Sequence, residues 1–245
     1  MIAKTVQLSQ TNCYLLKAGK GYVLVDTAYD WEWDAFCRGL ENAGVGIGDL
    51  DYLILTHHHD DHAGLLNQLV AQNPKIKIVM SGQARDLLAK GRNDSPDGAG
   101  YINRKIKALI TLYARVNKKW TQTFPPYVAR EEDILVSGEP SLRELGIGLD
   151  GKIIQTPGHS ADCISVALPD GDWLVGDAAA NMFQFAGTKY CVIFIQDLDQ
   201  YYKTWTKMLE AGAKQIFPAH GKPFPAGELR KNINRNKKSD IVPVH

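Results

Sequence analysis

The stretch Thr56-His57-His58-His59-Asp60-Asp61-His62 limits the folds open to this chain more than any other. Three imidazoles and a carboxylate, at His57, His59, Asp61 and His62, fall within six residues. They follow Leu50-Asp51-Tyr52-Leu53-Ile54-Leu55, a short apolar run that reads as a buried strand. They precede Ala63 to Val70, where apolar residues recur at helical spacing. The cluster is therefore expected on a strand-to-helix turn, the place where α/β folds put ligands. Imidazole nitrogen and carboxylate oxygen are the donors a borderline-soft cation such as zinc selects. A purification-tag-like run would sit at a terminus, and this one follows a strand.

Composition leaves the chain room to build a core around that turn. Hydrophobic residues make up 44% and charged residues 22% of 245 residues, ordinary for a globular protein. A single domain spanning 1–245 is expected, since no shift of composition marks a linker. Net charge is +1, so no global field argues for nucleic acid or a membrane. The first ten residues lack an apolar signal-peptide core, and no run of about 20 apolar residues occurs. No membrane partner and a cytoplasmic location are the corresponding expectations. Cys13, Cys37, Cys163 and Cys191 are scattered without a CxxC pair, and read as small buried hydrophobes in a reducing compartment.

Along the chain, 11–16 and 22–26 read as a hairpin across a turn with Gly19 and Gly21, and Trp31 to Ala43 as a helix stopped by Gly44. Asp26, at the end of the second strand, is a candidate to support a metal ligand. Lys75 to Met80 reads as another strand. From Arg85 to Lys119 nine Lys or Arg stand against three Asp. Within that run Ile102, Ile106, Leu109, Ile110 and Tyr113 follow helical spacing, so a basic amphipathic helix is expected inside a helical insertion at about 85–130. Its functional readings are a substrate lid, an anion-binding wall, or a homodimer surface through the 100–120 helix. Short strands resume after Asp133, a helix is expected through Tyr201 to Ala211, and the basic tail 230–238 reads as a frayed helix.

Three later residues repeat the logic of the first cluster. His159, Asp177 and His220 each follow a short apolar strand within a glycine-containing turn. Of seven histidines, five (His57, His59, His62, His159, His220) occupy strand-end turns, leaving His58 and His245.

The ordered set HxHxDH at His57–His62, TPGH ending at His159, GD at Asp177 and AHG at His220 resembles the metallo-β-lactamase superfamily, over nearly the whole chain. The resemblance implies a four-layer αβ/βα sandwich, an α/β fold of two mixed sheets flanked by helices with metals at one edge. It implies that His57, His59 and His159 hold a first metal, that Asp61, His62 and His220 hold a second, and that Asp177 bridges them. Two Zn2+ are the expected cofactors, with iron or manganese as alternatives. A metal-bridging hydroxide would attack an ester-like carbon of a small-molecule substrate, with Asp61 orienting it. His58 and Asp60 are spacers in this scheme.

Within the superfamily, the seven-ligand set is similar to that of glyoxalase II thioesterases and acyl-homoserine lactonases, and also of phosphodiesterases. The glyoxalase II group follows its bridging aspartate with Thr-Leu-Phe, and the lactonases place a tyrosine three residues after it. Here Ala178-Ala179-Ala180 stands in both places. Class B β-lactamases lack the aspartate at the bridging position. Nuclease activity, β-lactam hydrolysis and iron-dependent redox chemistry are the alternatives to a lactone or thioester hydrolase.

Overall fold

The computed structural model describes residues 2–118 and 121–244. Lys119, the last member of the basic run, and His245 lie outside the described residues, as do Met1 and Trp120.

The chain opens with three antiparallel strands, β1 (Ile2–Gln7), β2 (Asn12–Ala18) and β3 (Gly21–Val25). The sequence pattern shows the last two and misses β1. Helix α1 (Trp33–Asn42) follows a 3-10 turn, and Gly44 closes it at φ +64° with its N–H donating to Glu41 O. β4 (Leu50–Ile54) lies parallel to β3. Short helices α2 (Asp60–Ala63) and α3 (Leu66–Gln72) then lead to β5 (Lys77–Ser81), parallel to β4. After α4 (Ala84–Leu88) come the two-residue strand β6 (Gly100–Tyr101) and the basic helix α5 (Arg104–Val116), which Asn103 caps by accepting from Ile106 N at 2.9 Å. β7 (Ile134–Val136) completes a six-stranded sheet in the order β1-β2-β3-β4-β5-β7.

The second half supplies β8 (Lys152–Gln155), β9 (Ile164–Ala167), β10 (Asp172–Gly176), β11 (Phe194–Ile195), helix α6 (Leu198–Glu210), β12 (Gln215–Pro218), β13 (Phe224–Pro225), helix α7 (Gly227–Asn232) and β14 (Val242–Pro243). Five of these strands form a second sheet, β13-β12-β10-β9-β8. A small third sheet, β11-β6-β14, comes in addition to the two expected. Its last strand lies beyond the 230–238 tail read as a frayed helix, of which 230–232 form the end of α7. Buried Asn236, whose N–H donates to Tyr202 Oη at 3.1 Å, turns the chain back so that Val242 pairs with Tyr101.

Alternation along the strands explains the layering. Tyr14 and Leu16 of β2 face Ile153, Ile164, Val166 and Leu174 in one apolar cluster between the sheets. Cys13 and Leu15 face the other way, into a cluster with Phe36 and Leu40 of α1 and Leu66 and Leu69 of α3. On the far side, Trp173 and Val175 of β10 pack with Tyr201, Trp205 and Met208 of α6. The order helices, sheet, sheet, helices is the expected four-layer sandwich. Cys13, Cys163 and Cys191 are buried in it as small hydrophobes, while Cys37 is only partly buried, and all four are free thiols. Among the described residues no helix is long and apolar enough to cross a membrane.

Candidate metal centre

Every residue singled out in the sequence lies just past the C-terminal end of a strand. Asp26 follows β3, His57 to His62 follow β4, His159 follows β8, Asp177 follows β10 and His220 follows β12. The two sheets bring these ends to one edge, and Ile164 N donates across them to Thr56 O at 2.9 Å. The first cluster begins in an extended turn, as expected, but Asp61 and His62 lie within the first turn of α2. Gly176 has φ +50°, and a Cβ there would meet Thr56 Oγ1 at 2.3 Å, so only glycine lets β10 approach this turn.

Three imidazole nitrogens converge first. His159 Nε2 lies 3.1 Å from His57 Nε2 and 2.9 Å from His59 Nδ1. The His159 ring donates its Nδ1–H to Phe194 O at 2.8 Å, which leaves a bare lone pair on Nε2. Burial, together with the neighbouring rings His62, His59 and His159, holds His57 well below the usual histidine range. Burial also lowers His159 and brings His59 down to about 4. These rings are neutral, with lone pairs aimed at one another. Donors of a tetrahedral zinc at 2.0–2.1 Å would stand roughly 3.3 Å apart, close to the spacing seen.

A second group lies beside the first. His220 Nε2 is 3.2 Å from Asp61 Oδ2 and 3.1 Å from Asp177 Oδ1, and His62 Nε2 is 3.5 Å from the same Asp177 oxygen. The other Asp177 oxygen, Oδ2, sits 3.5 Å from His159 Nε2 in the first group. One carboxylate thus spans both groups. His220 fixes its tautomer by donating Nδ1–H to Gln10 O at 2.8 Å. Burial opposes charge on His62 and His220, but the facing carboxylates of Asp26, Asp61 and Asp177 overcome it and raise both rings well above the usual range. Burial alone would raise Asp177, yet His220 and His159 hold it well below the carboxylate range. The group concentrates negative charge that calls for a cation.

The residues fit divalent metal. His57, His59 and His159 form one set of mutually close donor atoms, and Asp61, His62 and His220 form another. Buried His62 Nε2 and Asp177 Oδ1 have no hydrogen-bond partner, whereas buried polar atoms are ordinarily paired.

Asp26 supports the second group. Its Oδ2 accepts from His62 Nδ1 at 2.9 Å and from Thr56 Oγ1 at 2.8 Å, and its Oδ1 accepts from Thr56 N at 2.8 Å. It does so with a left-handed backbone, φ +61°.

The two residues read as spacers prove to be anchors. His58 is buried, with Nδ1 3.0 Å from Asp162 Oδ1 and Nε2 3.0 Å from Asp94 Oδ1. Burial works against its charge, but Asp162 and Asp94 raise it to about 9. Asp60 accepts from Asn93 Nδ2 at 2.8 Å while its N–H donates to Asn93 Oδ1 at 2.9 Å. Burial and the adjacent Asp61 push Asp60 up to about 7. Together His58 and Asp60 pin the Asn93–Asp94 loop beside the first group. No sequence signal points to Asn93, Asp94 or Asp162, because these contacts cross about 30 and 100 residues of chain without a motif.

Above the donor atoms opens a cavity of about 320 Å3. Leu109, Ile110 and Tyr113 of α5 line one wall, and Met182, Phe183 and Phe194 line another. Among the described residues no Lys or Arg lines it. Arg104 and Lys105 instead face a separate groove beside the C-terminal segment, and Lys107 Nζ donates to Pro243 O at 2.8 Å. The helix therefore supplies a wall of the cavity, but an apolar one in place of the anion-binding wall expected.

Comparisons with known proteins agree with this architecture. The Beta-lactamase-like protein 2 homolog of Drosophila melanogaster is 26% identical over 239 residues, covering 96% of this chain and 68% of the relative. An anaerobic nitric oxide reductase flavorubredoxin homolog of Escherichia coli O157:H7 is 34% identical over 94 residues, 38% of this chain and 22% of that protein. BJP-1, a subclass B3 metallo-beta-lactamase of Bradyrhizobium japonicum, superposes with a TM-score of 0.63 at 18% identity, over 96% of this chain and 88% of that one. The family model of the metallo-beta-lactamase superfamily matches residues 6–220, from β1 to the last histidine of the site, and the chain belongs to that superfamily.

Proposed function

We propose that the protein is a two-metal hydrolase that cleaves an ester-like bond, a lactone or thioester, in an uncharged small molecule. The observation that carries this reading is Asp177, whose Oδ1 faces His62 and His220 while its Oδ2 faces His159. A carboxylate so placed suits two cations rather than one. His57, His59 and His159 would hold the first, Asp61, His62 and His220 the second, with Asp177 between them. When bound, zinc at such positions supplies Lewis acidity for an oxygen that gains charge and lowers the pKa of a water.

The chain's own residues do the rest. Phe194 O, Gln10 O and Asp26 each take an Nδ1–H and so aim Nε2 of His159, His220 and His62 at the site; His159 is already neutral there, whereas His220 and His62 would give up an Nε2 proton to a bound cation. Asp61 lines the cavity, and His62 holds it at about 2 against the effect of burial. It is therefore ionised at neutral pH and can accept the hydrogen bond that orients a nucleophilic water. The apolar walls exclude bulk water from the reacting bond. The lack of a lining cation among the described residues favours a carbonyl substrate over a phosphodiester, whose charge would want Lys or Arg nearby.

Elemental analysis of metal-loaded protein, run beside a panel of lactone, thioester, β-lactam and phosphodiester substrates, tests the reading. Turnover of lactone or thioester with two zinc per chain supports it. Turnover confined to phosphodiester, or two irons with oxidase activity and no hydrolysis, overturns it.

A further inference from the structure

The exposed apolar side chains of this protein are not scattered. Among the described residues eight large hydrophobics are exposed, and six of them (Trp31, Leu109, Leu112, Tyr113, Val116, Phe185) line the cavity or adjoin residues that do. Leu109 and Tyr113 line the cavity itself. Leu112 and Val116 extend the Leu109 side of α5 outward at i+3 and i+7, and are 61% and 76% exposed. Trp31 stacks at 5.3 Å on Tyr29, and the Phe185 ring meets Phe183 at 6.0 Å; Tyr29 and Phe183 both line the cavity. The apolar lining therefore continues through the mouth onto the outer surface. Contiguous exposed apolar surface of this kind marks a docking site rather than ordinary solvent-facing surface.

Charge on the same helix identifies what docks. α5 carries Arg104, Lys105, Lys107 and Arg115 and no acidic residue. Arg104, Lys105 and Arg115 are exposed. On α5 the apolar stripe is flanked by cations and by no acid, the pattern of a helix that lies in the plane of an anionic lipid surface, while exposed Asp34 beside the Trp31 edge opposes that attraction. A second copy of this chain fits less well. A two-fold pairing through the stripe would bring the α5 cations of one copy toward those of the other, with no acid on the helix to balance them. The absence of a spanning segment and a net charge of +1 do not bear on a helix that rests in the interface.

We propose that the cavity mouth, formed by α5 with the Trp31 and Phe185 edges, docks on anionic phospholipid bilayers. Leu112 and Val116 enter the headgroup–acyl boundary, and the α5 cations meet lipid phosphates. Docked in this way, the mouth opens toward the lipid phase. The substrate class is then an uncharged ester bearing an alkyl chain, drawn from the bilayer into the apolar cavity; this second part rests on the hydrolytic reading above.

Sedimentation of the metal-loaded 245-residue protein with phosphatidylcholine vesicles, with and without phosphatidylglycerol, tests docking without any turnover. The expected result is binding about tenfold or more tighter to the anionic vesicles, weakened by added salt and lost in the double variant Leu112→Asp/Val116→Asp. Both positions are exposed, so the variant should keep its circular dichroism and its thermal transition, and should hydrolyse a water-soluble short-chain ester at the wild-type rate. Reversal of Arg104, Lys105 and Arg115 to Glu should abolish the anionic preference alone. Absence of vesicle binding, or binding that neither set of substitutions changes, overturns the proposal. So does a concentration-dependent dimer that the Asp variants dissolve while vesicles bind nothing. Failure of the hydrolytic reading shows separately, as no turnover of the soluble ester by the wild type.

Discussion

Replacing Asp26 with Asn isolates a single proton. Asn tolerates the left-handed backbone at this position (φ +61°) better than Ala does, so the change leaves the turn in place. In the wild type, Asp26 Oδ2 accepts from both His62 Nδ1 and Thr56 Oγ1, and Oδ1 accepts from Thr56 N. An Asn side chain keeps one oxygen for Thr56 N and turns its amide NH2 toward His62. Two donors then face each other, and His62 relieves the clash by moving its proton from Nδ1 to Nε2. That atom faces Asp61 and Asp177 at 3.7 and 3.5 Å, and once protonated it has no lone pair for a cation. Loss of a partner that orients a metal-binding histidine typically costs 10- to 100-fold in metal affinity, about 1.4–2.7 kcal/mol. Competition titration with a chromophoric zinc chelator should resolve two sites in the wild type. In Asp26→Asn the affinity of the Asp61–His62–His220 site should fall by that factor while the His57–His59–His159 site does not move. An unchanged second affinity in a folded Asp26→Asn protein would refute the tautomer argument.

Other expectations follow from the same contacts. His58→Ala leaves Asp162 and Asp94 without their shared partner, so thermal unfolding should show a loss of about 3 kcal/mol, with both metals retained. Because the folded-state pKa of His58 is raised from 6.5 to about 9, its contribution is complete below pH 6.5 and disappears as pH rises through about 9; a stability profile of wild type against His58→Ala should show the difference closing there. His59 shifts the opposite way, to about 4, so the metal-free fold should lose stability as pH falls from 6.5 toward 4, where the unfolded chain binds protons that the folded ring refuses. Metal should also be released across acidic pH as the imidazoles protonate, readable by dialysis and elemental analysis.

Much of the site is legible in sequence because each donor follows its own apolar strand. The strand ends at Val25, Ile54, Gln155, Gly176 and Pro218 deliver Asp26, His57, His159, Asp177 and His220 to one edge, and period-two alternation shows which face of each strand is buried. What could not be read depends on contacts between distant segments. His58 and Asp60 look like spacers until Asp94, Asp162 and Asn93 come from elsewhere to meet them. The spacing of α5 locates its apolar stripe but not its neighbour, so the basic residues suggested an anion-binding wall where Leu109, Ile110 and Tyr113 in fact face the cavity. β6, β11 and β14 have two residues each, too few for an alternation to show.

The central claim is that one carboxylate joins two metal-binding groups. Metal stoichiometry of the wild type and of Asp177→Ala, measured by elemental analysis on protein purified without a tag, tests it most directly. The account predicts two zinc per chain in the wild type, with ester hydrolysis, and loss of metal and activity in Asp177→Ala while circular dichroism shows the fold intact. A variant that keeps both metals and full activity, or a wild type that binds a single ion, would contradict it.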